Sequence, residues 1–151
     1  MNTVKRLEFE VESEAGISRI KFQALQLVMA GWTGRNREAL QAHIDELAEL
    51  GIPGPKSVPE FYPLSVDRLS QGDAIQVSGE NTSGEVEFFL IHTGEDLLVG
   101  LGSDHTDRAL EASSITLSKQ ICDKVLCPKL WTHEEVMDHW EGLCLCSSIV
   151  G

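Results

Sequence analysis

Glu85-Val86-Glu87-Phe88-Phe89-Leu90-Ile91 is the stretch on which the fold turns. Its β-branched and aromatic content marks a strand. Thr93-Gly94-Glu95-Asp96 bends the chain back into Leu97 to Leu101, so the pair reads as a β-hairpin. Period two along the strand puts Glu85 and Glu87 on one face and Val86 and Phe88 on the other. Two like charges side by side on a sheet repel. On a solvated face water screens them; beside Phe89 they need a counter-charge, and a hard divalent cation is a natural one.

Working outward, residues 4–11 alternate, with Val4, Leu7, Phe9 and Val11 among charges, and read as a strand. A second strand is expected from Ile20 to Met29, although Leu25 to Met29 also suits a helix. Ala30-Gly31-Trp32-Thr33-Gly34-Arg35 is a glycine-punctuated loop. A helix is expected over 36–50, with Leu40, Ile44 and Leu47 as its stripe and Gly51 as its C-terminal cap. Residues 51–63 carry Pro53, Pro55, Pro59 and Pro63 and read as a crossing loop or lid.

Further strands are expected at 73–79 and 115–122, with a turn at Asn81 to Gly84. Asp104 to Ala112 reads as a short helix or an irregular turn. Thr132 and Glu135 form a capping box for a helix at 133–142. Leu143-Cys144-Leu145-Cys146 alternates weakly, as an edge strand completed elsewhere or a chain cut short would. The pattern is α+β, rich in strands, in a single domain spanning 1–151.

The chain has 151 residues, of which 42% are hydrophobic and 24% charged, an ordinary globular composition. Twelve Lys and Arg against twenty-four Asp and Glu give a net charge of −12. That balance speaks against nucleic acid and anionic membranes, which need a basic footprint. No signal peptide and no membrane-length apolar run is present, so a cytoplasmic location is expected. Cys122, Cys127, Cys144 and Cys146 lack zinc-knuckle spacing and read as reduced thiols.

Three further motifs carry chemistry. Gly102-Ser103-Asp104-His105-Thr106-Asp107-Arg108 follows a strand. Asp104 offers a third oxygen ligand, unless it or Ser103 only caps the next helix. His105 is a ligand or a hydrogen-bond partner. His43-x-x-Glu46 puts an imidazole and a carboxylate on adjacent helical turns, where they form a surface pair or a water-activating base. Lys119 lies in an apolar run read as a strand, pointing either to solvent or at the acids.

The order of these motifs resembles the fumarylacetoacetate hydrolase superfamily. The series runs through the Gly31 to Asn36 loop, His43-Ile44-Asp45-Glu46, Pro59-Glu60-Phe61-Tyr62-Pro63, Glu85-Val86-Glu87, Asp104-His105-Thr106-Asp107-Arg108, Ser118-Lys119 and Pro128. Gly-Trp-Thr-Gly-Arg, Thr-Ser-Gly-Glu-Val-Glu and Gly-Ser-Asp-His-Thr-Asp-Arg are similar to a bacterial branch of that superfamily known only as a domain of unknown function. The resemblance implies a mixed β-roll with flanking helices, here short of its C-terminal strands, and a homodimer.

It also implies Glu85, Glu87 and Asp104 as ligands of magnesium or manganese, with calcium as an alternative. Lys119 would contact the substrate. Tyr62, Thr106 and Arg108 would help bind it. His43 and Glu46 would be the water-activating dyad on a lid. The implied function is a metal-dependent hydrolase or lyase acting on a small 2-keto or 1,3-diketo carboxylic acid, cleaving a C–C bond through a metal-bound enolate. Decarboxylation and hydration are alternatives. So are a catalytically inactive metal- or ligand-binding module and a partner subunit or fragment.

Overall fold

Alternation settles the first hairpin in the computed structural model, which describes residues 3–49 and 54–149. Strand β1 (Lys5–Ser13) buries Leu7, Phe9 and Val11 and pairs antiparallel with β2 (Gly16–Ala24). The single strand expected to Met29 is two. The chain breaks at the exposed Leu25, and β3 (Leu27–Gly31) leaves to pair elsewhere. Helix α1 (Arg37–Glu49) begins where the Asn36 side chain accepts from the Glu38 and Ala39 amides, both at 3.0 Å. Leu40, Ile44 and Leu47 are its half-buried positions, and none of its residues is fully buried. The expected cap at Gly51, like Pro53, lies outside the described residues.

The proline-rich segment is not all loop. Its end forms β4 (Glu60–Leu64), the antiparallel partner of β3. A 3-10 turn at Val66–Arg68 leads into the two-residue β5 (Leu69–Ser70). No strand forms at 73–79, where glycines at 72 and 79 flank a mostly exposed run. The expected turn at Asn81 to Gly84 contains β6 (Thr82–Ser83). Then come β7 (Val86–His92) and β8 (Leu97–Asp104), the hairpin read from sequence, with β8 three residues longer than expected. A two-residue β9 (Thr106–Asp107) pairs with β6.

Helix α2 (Arg108–Glu111) is capped by Asp107, whose carboxylate accepts from the Leu110 amide at 3.0 Å. That cap is neither Ser103 nor Asp104, which frees both for other contacts. The strand expected at 115–122 is wrong: residues Ile115–Gln120 form helix α3. Ser114 caps it by accepting from the Leu117 amide, and this outweighs the β-branched content that suggested a strand. The helix turns Ser118 and Lys119 inward.

Strand β10 (Lys124–Thr132), not expected from sequence, runs through the centre of the main sheet. A bulge between Leu126 and Leu130 accommodates Pro128, which has no amide to give a ladder. Thr132 is the N-cap residue, but the expected capping box does not form: Thr132 Oγ1 donates to Glu135 Oε2 at 2.8 Å instead of accepting from a backbone amide, and Glu135 Oε1 accepts from the Glu14 amide. Helix α4 (His133–Met137) is shorter than expected, and a 3-10 turn at Trp140–Gly142 follows. The weakly alternating tail has no regular structure from residue 143 to 149.

The result is an α+β fold with a mixed sheet and, among the described residues, four α-helices. The main sheet runs β2-β1-β10-β8-β7, with β5 also on β10. Pairing of β10 is parallel with β1 and β5 and antiparallel with β8. One face holds the core of Leu7, Phe9, Val11, Ile91, Leu98, Leu126 and Leu130, with Phe89 against it. Gly100 and Gly102 on β8 make room for it. A Cβ on Gly100 would strike Phe89 and Leu130, and one on Gly102 would stand 2.6 Å from the Val125 carbonyl oxygen.

On the other face Phe88 lies edge-on to Trp140, with ring centroids 4.8 Å apart, and Leu90 and Leu101 are exposed. Arg35 donates to the Trp140 and Glu141 carbonyls at 2.7 and 2.9 Å, tying the loop before α1 to this end of the chain. Cys122 is buried; Cys127, Cys144 and Cys146 are exposed, and all are free thiols. No helix among the described residues is long and apolar enough to cross a membrane.

Candidate functional site

The core face turns charged at one end. Residues directly opposite on antiparallel strands share a face. Asp104 pairs with Lys124 across β8 and β10, and its amide donates to the Glu85 carbonyl at 2.9 Å. Glu85, Asp104 and Lys124 therefore form a row across three chain segments. Glu87 lies one pleat inward, opposite Gly102, which puts no side chain beside it. Helix α3 brings Lys119 to the same end.

Charges are matched closely. Asp104 is 4% exposed. Lys119 Nζ donates to its Oδ2 at 2.5 Å and also lies 3.5 Å from Glu85 Oε2. Lys124 Nζ stands 3.0 Å from Asp104 Oδ1 and donates to the His105 carbonyl. The contact at Oδ1 is one of charge, without hydrogen-bond geometry. Arg108 meets Glu85 at 2.5 Å and Glu111 at 3.0 Å, and its Nε donates to Ser83 at 2.7 Å. Thr106 is fully buried; its hydroxyl donates to the Asp104 carbonyl at 3.1 Å and accepts from Lys119 at 3.5 Å.

These contacts set the ionisation. Burial alone would lower the Lys119 ammonium. The bond and charge of Asp104, then the charges of Glu85 and Glu111, outweigh it and hold the pKa above the ordinary lysine value. Lys124 goes the other way: burial lowers it, and the Lys119 charge adds to that, against the pull of Asp104. Burial raises the Glu87 carboxyl, and the charges of Glu85 and Asp104 raise it further.

None of the ion pairs at this end includes Glu87. A carboxyl raised by folding contributes stability that is present below its unfolded value and lost as pH rises through its folded value. Glu87→Gln is therefore expected to be more stable than the natural protein at pH 7. The two should converge in acid below the carboxylate range. Urea unfolding at both pH values checks this.

His105 is a hydrogen-bond partner, with Nε2 at 3.0 Å from Thr82 Oγ1; burial, then Lys124 and Arg108, push its pKa down. His43 and Glu46 do meet on α1, at 3.8 Å, but both are exposed and neither touches the acids. Their link to the site is indirect. The His43 ring lies 6.0 Å from that of Trp32. Trp32 Nε1 donates to the Tyr62 hydroxyl at 3.1 Å, and that hydroxyl donates to Glu60 at 3.2 Å. Helix α3, which carries Lys119, packs on β4, which carries Tyr62.

Trp32 holds a left-handed backbone, φ +62°. Such a conformation costs a bulky residue about 1–3 kcal/mol and persists only where surroundings enforce it. The bond to Tyr62 and the contact with His43 are those surroundings. Tyr62 is the chain's one tyrosine. Burial raises its phenol, the Trp32 bond lowers it, and Glu60 raises it again. Phenolate absorbance is expected to rise only above the ordinary tyrosine range of about pH 10. Trp32→Phe should push that rise to still higher pH; an ordinary titration in both proteins would remove this bonded chain.

The structure thus gathers Glu85, Asp104, Lys119, Thr106 and Arg108, sets Glu87 on the same face and Tyr62 alongside, and leaves His43 and Glu46 outside. Sequence reading missed Lys124, Trp32 and Glu60. Period two through Lys124 and Leu126 was the available signal for Lys124. Among the described residues, no three His, Cys, Asp or Glu side chains are grouped as a ready-made metal site.

Fold and cluster together define an α+β protein whose mixed sheet ends in a buried lysine–carboxylate network. The family described as "Protein of unknown function (DUF2848)" matches residues 30–151, and the chain belongs to that family. No curated protein and no solved structure matches the chain.

Proposed function

We propose that the protein is a divalent-metal-dependent hydrolase or lyase acting on a 2-keto or 1,3-diketo carboxylic acid, on a β-roll of the fumarylacetoacetate hydrolase type. One observation carries this reading. Three carboxylates from one hairpin, Glu85, Glu87 and Asp104, share a sheet face beside a buried lysine that bridges two of them. The donor types suit such an ion, although among the described residues they are not gathered round one point. All three are hard oxygen ligands suited to magnesium or manganese, with calcium as an alternative. The Glu87 carboxyl is raised by burial first and then by the charges of Glu85 and Asp104, and a cation beside it would favour its ionised form.

In this reading Glu85, Glu87 and Asp104 hold the ion. When bound, it would supply Lewis acidity and a template for two substrate oxygens. Lys119 offers a positive charge where negative charge develops on the substrate. Lys124 stays on Asp104 and keeps its carboxylate oriented. Tyr62 and Arg108 would help bind the keto acid, and Thr106, fully buried against Lys119, would act through that lysine. His43, oriented by Glu46, takes a proton from water once α1 closes over the site. The protein would act as a cytoplasmic homodimer.

A second reading has one observation in its favour. Asp104 and Glu85 already have counter-charges in Lys119, Lys124 and Arg108, as in a catalytically silent binding module or a partner subunit. Manganese at a hundredfold over its dissociation constant is expected to stabilise the protein by about 2–3 kcal/mol. Glu87→Gln should abolish that response and turnover over a panel of 2-keto and 1,3-diketo acids. Stabilisation without turnover favours the binding module. No stabilisation at all overturns the metal-dependent reading.

A further inference from the structure

The Lys119 ammonium lies where two of the three acids meet. Its Nζ is 2.5 Å from Asp104 Oδ2 and 3.5 Å from Glu85 Oε2. A hard ion shared by Glu85 and Asp104 needs their oxygens at roughly 2.0–2.6 Å. The ammonium fills that space.

The two lysines on Asp104 are tethered differently. Lys124 stands on the central strand directly opposite Asp104, and its bond to the His105 carbonyl anchors it a second time. Lys119 comes from the last turn of a six-residue helix. Its charge is a compact one on a flexible four-carbon stem. Thr106 Oγ1, at 3.5 Å, offers it a neighbouring acceptor.

We propose that Lys119 is a resident competitor for the cation. Its ammonium bridges Glu85 and Asp104 in the ion-free protein and leaves both when a divalent ion enters. Lys124 stays on Asp104 in both states. The proposal rests on the metal-dependent reading above and adds a coupling to it. Loading the ion releases the lysine, so the group that meets an anionic substrate becomes free only in the loaded protein.

The test uses the full chain. Lys119→Met keeps the apolar stem and leaves Asp104 its Lys124 partner. Manganese titration by calorimetry is expected to give at least tenfold tighter binding in Lys119→Met than in the natural protein. Lys119→Gln, neutral and polar, carries the same expectation and serves where the methionine variant does not fold. In the natural protein, saturating magnesium should shift the Lys119 side-chain NMR resonance, identified by its loss in the variants. Equal or weaker manganese binding in the variants overturns the competition and leaves the ion site standing. So does a Lys119 resonance unmoved by magnesium. Failure of both natural protein and variants to bind manganese removes the ion site and this proposal together.

Discussion

Asp104→Asn is expected to lose about 3–5 kcal/mol of stability, because it strips the shared counter-charge from two buried lysines. The carboxylate stands between Lys119 at 2.5 Å and Lys124 at 3.0 Å, and all three residues are buried. The amide that replaces it has no charge to return. Lys119 retains Glu85 at 3.5 Å, but Lys124 retains only a neutral carbonyl. Against a total stability of about 5–15 kcal/mol, such a loss is large. Urea unfolding should show a lower midpoint at an unchanged slope.

Glu10→Gln is the contrast. It breaks an Arg19–Glu10 pair of similar length, 2.8 Å, whose side chains are 83% and 45% exposed. Exposed pairs contribute about 0–1 kcal/mol. Equal losses in the two variants would mean that water screens Asp104 as well, and the buried network would not be what holds this end of the sheet.

Gly102→Ala is expected to cost about 1–3 kcal/mol, at the upper end of that range for overpacking. The obstacle is backbone: the new Cβ would lie 2.6 Å from the Val125 carbonyl oxygen and 3.2 Å from Phe89 Cδ1. A side chain can rotate away, but this backbone oxygen moves only if β8 and β10 part. Gly102 pairs with Leu126, and Asp104 pairs with Lys124 two residues later on β8 and two earlier on the antiparallel β10. The variant should therefore melt lower and also weaken any manganese response. A melting temperature within error of the natural protein would show that the strands separate freely there.

How much of this was legible follows from the residues. The β7–β8 hairpin was readable because its alternation is intact and its turn is local. The shared face of Glu85 and Glu87 came with it. Asp104 joins them because β8 runs on to it, three residues past the expected end at Leu101; from sequence it reads as either a third acid or a helix cap. Lys119 was legible as a neighbour of the acids but not as a helical residue. Six residues are too few to develop a helical period, and Ile115 and Ile121 imitate a strand. Strand β10 was hidden by Pro128, which speaks for a loop until the bulge gives it a place. With β10 went Lys124: period two through Leu126 hints at a shared face, but its burial depends on pairing with the distant Asp104 and Leu69. The Trp32 to Glu60 bonds were likewise hidden, since they join segments that meet only when β3 finds β4.

The late arrival of β10 also bears on how the chain is made. Val11 pairs with Leu130, and Lys124 pairs with both Asp104 and Leu69. The sheet cannot close its middle until the ribosome has released almost all of this sequence. Contacts so distant along the chain slow folding, because a long loop must be ordered before they form. Until then the β1–β2 ribbon waits with Leu7, Phe9 and Val11 uncovered. A nascent chain in that condition is a natural client for chaperones.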